Sequence, residues 1–150
     1  MSNLIILDSG PLGMVTNPKA SSVECQECKF WLDNLPVRGY EIVLPEITDY
    51  EVRRELLRAG KSKGIKRLNQ LKAAVTYLPI NTEVMLLAAQ LWAEVRRAGK
   101  PTADSKALDG DVILAAQAKL EEMKGNEVIV ATTNVGHLSL FVDAREWREI

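Results

Sequence analysis

Histidine and cysteine are scarce in this chain, and their scarcity closes several routes to function at once. His137 is the one histidine in 150 residues, so no Ser-His-Asp relay competes for the role of active site, and no Gly-x-Ser-x-Gly elbow is present. The two cysteines, Cys25 and Cys28, form a lone Cys-x-x-Cys. A structural zinc site needs four ligands, and no second pair exists. A thioredoxin-type redox site would place this motif at a helix N-terminus just after a strand. Here residues 22–35 read as helix throughout, so the two thiols are expected to be ordinary core or surface residues. No apolar run approaches the roughly 18–20 residues of a membrane helix. No basic segment precedes the first apolar run, as one would in a signal peptide. Both features point to the cytoplasm. Neither sign of charge dominates: 19 Lys and Arg face 20 Asp and Glu, for a net charge of −1. That balance argues against a strongly basic nucleic-acid binder while leaving room for a local patch. A phosphate-cradling Gly-x-x-x-x-Gly-Lys-Ser/Thr loop is absent, as are repeats, low-complexity tracts and interdomain linkers. The length suits one domain, residues 1–150, able to bury a core without staples.

What is present begins at Leu4-Ile5-Ile6-Leu7-Asp8-Ser9-Gly10. Four apolar residues in unbroken succession are the mark of a strand buried on both faces, as in parallel sheets. Asp8 stands at its carboxyl end, and residues 10–18 read as a turn. A helix over 22–35 follows, then a strand at 41–44, and Pro45 opens a helix over 46–59. Further helices are predicted over 65–74 and 83–98, with a strand at 76–80 between them and Asn81 or Thr82 as cap. Residues 102–110 read as a polar, acidic loop. A largely buried helix at 111–124, a strand at 127–132 and a short strand near 140–142 complete the pattern. Strands alternating with helices predict a parallel sheet covered on both faces.

The acids now fall at comparable addresses. Asp8 ends the first strand, and Glu51 lies in the first turns of the helix after the second. Asp111 opens the buried helix, preceded by Asp109 and Asp104. Asn134 follows the strand at 127–132. In open α/β sheets, strand carboxyl ends and the helix starts that follow them share one edge, where ligands bind. Each of these residues taken singly serves equally well as a cap or turn residue. Jointly they make a carboxylate cluster, whose mutual repulsion a hard divalent cation relieves.

Several stretches resemble the PIN domain, the fold of VapC-type ribonuclease toxins and related nucleases. Ile6-Leu7-Asp8-Ser9 resembles its opening strand with the first acid, and residues 47–54 resemble the helix that supplies its glutamate. Asp111 with the apolar, alanine-rich residues after it is similar to the family's third acid motif, and residues 130–138 resemble the last. The resemblance implies a three-layer α/β/α fold around a parallel sheet. It further implies a Mg²⁺- or Mn²⁺-dependent endoribonuclease, in which Asp8, Glu51 and Asp111 hold metal while Ser9, Thr133 and Asn134 orient water or phosphate. Toxins of the family pair with a small antitoxin and commonly form homodimers. The chain departs from the pattern at Asn134, where a fourth acid is usual. Asp109 either compensates for that charge or is itself the third acid, with Asp111 as helper. The alternative to a nuclease is a catalytically weak PIN-like module that binds or scaffolds.

A basic stretch points to a polyanion independently. Eight Lys and Arg lie between Arg53 and Lys72, including Arg54 and Arg58, against the single acid Glu55. Such a cluster could follow an RNA backbone, or could simply be a solvated helix face. Other enzymes with strand-end acids fit less well. A haloacid-dehalogenase-type phosphatase needs a second Asp two residues after the first, where this chain has Gly10. A receiver domain needs a strand-end lysine, and none follows the strand at 127–132.

Overall fold

A computed structural model describes residues 2–19, 21–99 and 105–150. In chain order it runs β1 (Asn3–Leu7), α1 (Ser9–Thr16), α2 (Val23–Asn34), β2 (Glu41–Pro45), α3 (Glu46–Arg58), α4 (Ser62–Ala74) and β3 (Thr76–Leu78). Then come α5 (Thr82–Arg97), α6 (Ser105–Met123), β4 (Glu127–Thr132) and β5 (Ala144–Glu146). The strands form one five-stranded sheet in the order β3-β2-β1-β4-β5, and every pairing is parallel.

Alternation along β1 divides the core between two faces, because successive strand side chains point to opposite sides. Leu4 and Ile6 join Val84, Leu91, Val112 and Ala116 under α5 and α6. Ile5 and Leu7 join Leu12, Leu32 and Leu68 under α1, α2 and α4. Helix α3 serves both, with Ile47 in the first cluster and Val52 and Leu56 in the second. The result is the three-layer α/β/α arrangement expected. The strand order reverses beside β1. From β1 the chain steps to β2 and β3, then returns across the other face to β4. The carboxyl ends of β1 and β4 therefore flank a switch point, where the crevice of an open α/β sheet lies. Their register pairs Leu7 with Ala131, which sets Asp8 beside Thr132.

Three local readings of the sequence are corrected. Residues 9–16 form helix α1 rather than a turn. Gly10 and Pro11 lie in its first turn, where amide N–H groups have no intrahelical acceptor and a proline loses nothing. Helix α6 begins at Ser105, so Asp111 lies in its second turn instead of opening it, and the predicted loop shrinks. Asp-Gly-Asp looks like a turn, yet Leu108, Val112, Ala115 and Ala116 are all buried and continue one apolar stripe through it. Asp104 lies outside the described residues. Finally, residues 137–140 form a 3-10 turn anchored by buried Leu138, and the last strand falls later, at β5.

Both cysteines are free and buried. Burial, and secondarily the neighbouring Cys25, push the Cys28 thiol up to about 12. They are core residues. Among the described residues, no helix is long and apolar enough to cross a membrane.

Candidate active site

Asp8 leaves β1 and caps α1, with its Oδ1 accepting from the Ser9 amide at 2.8 Å. Its other oxygen, Oδ2, accepts from the Thr132 hydroxyl at 2.7 Å. Thr132 is fully buried at the end of β4, and its Oγ1 in turn accepts from the Asn134 amide at 3.0 Å. The two strand ends that flank the switch point are thus stitched together through one hydroxyl. The first link in that chain fixes both the position and the orientation of the Asp8 carboxylate.

Glu51 reaches the same place from α3. A Cβ built on Gly110 would stand 2.7 Å from Glu51 Oε2, so the glycine leaves room for the carboxylate where it now lies. Gly110, the last residue of the loop predicted over 102–110, is therefore a contact point between Glu51 and the turn that carries Asp111. Gly10 plays the matching part on the other side, where a Cβ would meet Thr133 Cγ2 at 2.7 Å.

Electrostatics confirm that the three acids share one neighbourhood. Burial raises the Asp8 carboxyl, while hydrogen bonds from Thr132 and Ser9 oppose the rise. Burial first, then the charges of Asp8 and Asp111, push Glu51 up to about 7, with Arg54 opposing. Asp111 is pushed up to about 6 by burial and then by Asp8, with His137 opposing. Burial and mutual repulsion of this kind are what a cation among the acids would relieve.

The other expected residues scatter around this centre. Ser9 is half-buried and Thr133 exposed. Asn134 is also exposed, with its side-chain Oδ1 accepting from the Gly136 amide at 3.1 Å. Asp109 is exposed and faces away, lining an apolar groove of about 430 Å³ with Met85, Trp92 and Val112. Two positions on a helix differ by about 200°, which is why Asp109 and Asp111 part company. The basic stretch divides as well. Arg53 is held by Asp49 at 2.9 Å and by Asn69 at 2.9 Å, and Arg58 pairs with Glu55 at 2.9 Å. Arg54 lies over the Tyr50 ring, 4.9 Å from its centroid. Arg54, Arg58 and Lys61 line a groove of about 400 Å³ that also reaches Ser9 and Glu51. Sequence reasoning missed Thr132 and His137. A hydroxyl at the end of a buried strand was a usable signal for the first; the second had none.

A divalent cation is implied by the resemblance noted above, and the residues fit one. The donors are carboxylates that already repel each other, with an amide and hydroxyls nearby, all hard oxygen ligands. Among the described residues, no three Asp, Glu, His or Cys side chains close into a ready-made cage.

The sequence matches the PIN domain over residues 5–135. No curated protein matches it. Solved structures share the fold across nearly the whole chain. VapBC2 from Rickettsia felis, bound to a DNA fragment from its promoter, gives a TM-score of 0.69 at 13% identity, covering 96% of this chain and 98% of that one. VapBC-1 from nontypeable Haemophilus influenzae gives 0.67 at 16% identity, covering 97% and 98%. VapC20 from Mycobacterium tuberculosis, a toxin that cleaves the Sarcin-Ricin loop, gives 0.64 at 16% identity, covering 95% and 99%. With the match spanning the strand that ends in Asp8, the helix of Glu51, the turn of Asp111 and the strand of Thr132, the chain belongs to the PIN domain family.

Proposed function

We propose that the protein is a Mg²⁺- or Mn²⁺-dependent endoribonuclease, the toxin of a toxin–antitoxin pair. One observation carries the reading: three carboxylates from β1, α3 and α6 are brought together at the sheet's switch point and raised by burial and by one another. Asp8, Glu51 and Asp111 would hold the cation, which when bound supplies the positive charge that activates water and polarises the phosphodiester. The chain's own residues do the positioning. Thr132 orients Asp8 through its hydroxyl. Ser9 and Thr133, on the two sides of Gly10, offer hydroxyls to water or to phosphate oxygens. Asn134 stands just beyond them and adds a polar contact without charge. Asp111, whose carboxyl feels the charge of Asp8, is the third acid, and Asp109 a bystander on the α5–α6 side. Arg54 and Arg58 extend the site towards the RNA backbone.

An antitoxin partner, a homodimer and a cytoplasmic setting belong to the same proposal, the first in keeping with the VapBC pairs that share the fold. A binding module with a weakened site is the second reading, favoured by Asn134 in place of an acid and by the tie of its Oδ1 to Gly136. Cleavage of a mixed RNA pool across Mg²⁺ concentrations separates the two. Asp8→Asn and Asp111→Asn, checked for folding by circular dichroism, are expected to lose about a thousandfold or more in rate, roughly 4 kcal/mol of barrier. Cleavage by both variants at the parent rate would leave the binding module standing.

A further inference from the structure

Tyr50 precedes Glu51 on α3 and is 56% exposed. With about 100° per residue, Tyr50 sets the origin, Arg54 falls at about 40° and Glu51 at about 100° around the helix. Arg54 therefore lies between the ring and the acid. Its guanidinium stacks on the Tyr50 ring at 4.9 Å, and its charge acts on Glu51. Arg54 also lines the groove that runs from Ser9 and Glu51 to Arg58 and Lys61. A planar cation backed by a flat aromatic surface thus stands on a groove that leads out of the carboxylate site past Arg58, Glu55 and Lys61.

We infer that Tyr50, backed by Arg54, is a stacking platform for a nucleobase flanking the scissile phosphate of single-stranded RNA. The inference rests on the nuclease reading for its location, and on the ring, its guanidinium neighbour and the groove for its chemistry. Unpaired bases are recognised by stacking on aromatic rings and on arginine planes, and bases inside a duplex cannot reach such a surface. Stacking tolerates any base, and larger purine faces gain most, so the platform selects for an unpaired strand and favours a purine at that position. Arg53, one residue from Arg54, cannot share the role because Asp49 and Asn69 hold its guanidinium. A protein partner is the competing occupant, since Leu57 lies one turn beyond Arg54 and is 64% exposed. Arg54 and Lys61, beyond the Arg58–Glu55 pair, line the groove and favour the polyanion.

The test uses a 2′-O-methyl oligonucleotide carrying 2-aminopurine, with EDTA present so that binding is read without cleavage. The parent protein is expected to bind it and quench the fluorophore. Tyr50→Phe keeps affinity and quenching, while Tyr50→Ala loses the quenching and roughly fivefold to a hundredfold in affinity. An RNA duplex of the same sequence competes poorly. In Mn²⁺, cleavage of a mixed pool shows a base preference beside the cut for the parent and Tyr50→Phe, and none for Tyr50→Ala. Tyr50→Ala binding and quenching like the parent would overturn the platform, as would a parent that does not bind the oligonucleotide; the face would then fall to a protein partner. Cleavage by Asp8→Asn at the parent rate would end the nuclease reading, and the quenching in EDTA would still decide the platform.

Discussion

Asp49 and Glu51 stand two residues apart on α3, and their surroundings are opposite. Asp49 is 4% exposed and satisfied: Arg53 donates to it at 2.9 Å, and the Tyr77 hydroxyl approaches its other oxygen at 3.4 Å. Glu51 is less buried, yet the charges that bear on it include Asp8 and Asp111, with only Arg54 opposing. A buried acid with its own cation is part of the fold. An acid among acids strains the fold, and is kept where something else supplies the missing charge. Burial alone would have pointed to the wrong residue of the two.

The sharpest way to break this contrast is to remove each acid in turn. Asp49→Ala leaves Arg53 without its partner and is expected to cost about 2 kcal/mol, discounted from the fully buried case because Arg53 remains partly solvated. That corresponds to roughly 4–8 °C in melting temperature for a chain of this size. Glu51→Gln is expected to leave the metal-free melting temperature equal or higher while removing cleavage. Equal destabilisation by both would dissolve the distinction.

Acidity tests the same contrast more gently. Glu51, raised to about 7, and Asp111, raised to about 6, hold their protons to higher pH in the folded state than in the unfolded chain. Between about pH 4 and 7 the folded state therefore binds more protons, and stability falls as pH rises through that window. The metal-free protein should melt higher at pH 5 than at pH 8, from these two acids. Glu51→Gln should flatten the slope, and millimolar Mn²⁺ should raise the melting temperature mainly at the alkaline end by mass action. A slope unchanged by Glu51→Gln would mean that Glu51 carries no such strain.

The smallest expected effect concerns Asn134. Asn134→Asp adds one more negative charge beside the cluster at an exposed position. Metal-free stability should drop by less than about 0.5 kcal/mol, RNA cleavage should persist, and the Mn²⁺-induced rise in melting temperature should grow. A response to Mn²⁺ identical to the parent's would place Asn134 outside the reach of the bound cation.

The strands were legible because their signal is local. Runs such as residues 4–7 and 128–131 are apolar without interruption, and a parallel sheet buried on both faces demands that pattern wherever it occurs. The address of Asp8 followed from the same rule, since strand ends and helix starts share an edge, whereas Asp111 lies a turn inside α6 instead of at its start. Glycine misled for a physical reason. Its usual role is to break helices, but Gly10 and Gly110 lie inside helices, where their missing side chains make room for Thr133 and Glu51.

By itself the sequence determined the alternation of strand and helix, the acids at the sheet edge and the match to PIN domains, all of which depend on residue type and spacing along the chain. Only the tertiary structure decided which acids have partners. The Thr132 hydroxyl that orients Asp8 comes from 124 residues away. Arg53 and Arg54 are neighbours in sequence, yet one is tied to Asp49 and the other stacks on Tyr50 beside the site. Asp109 and Asp111 part because a helix turns between them. Periodicity reports which face a residue lies on, but the energy of a charge depends on what the rest of the chain brings within a few ångströms of it.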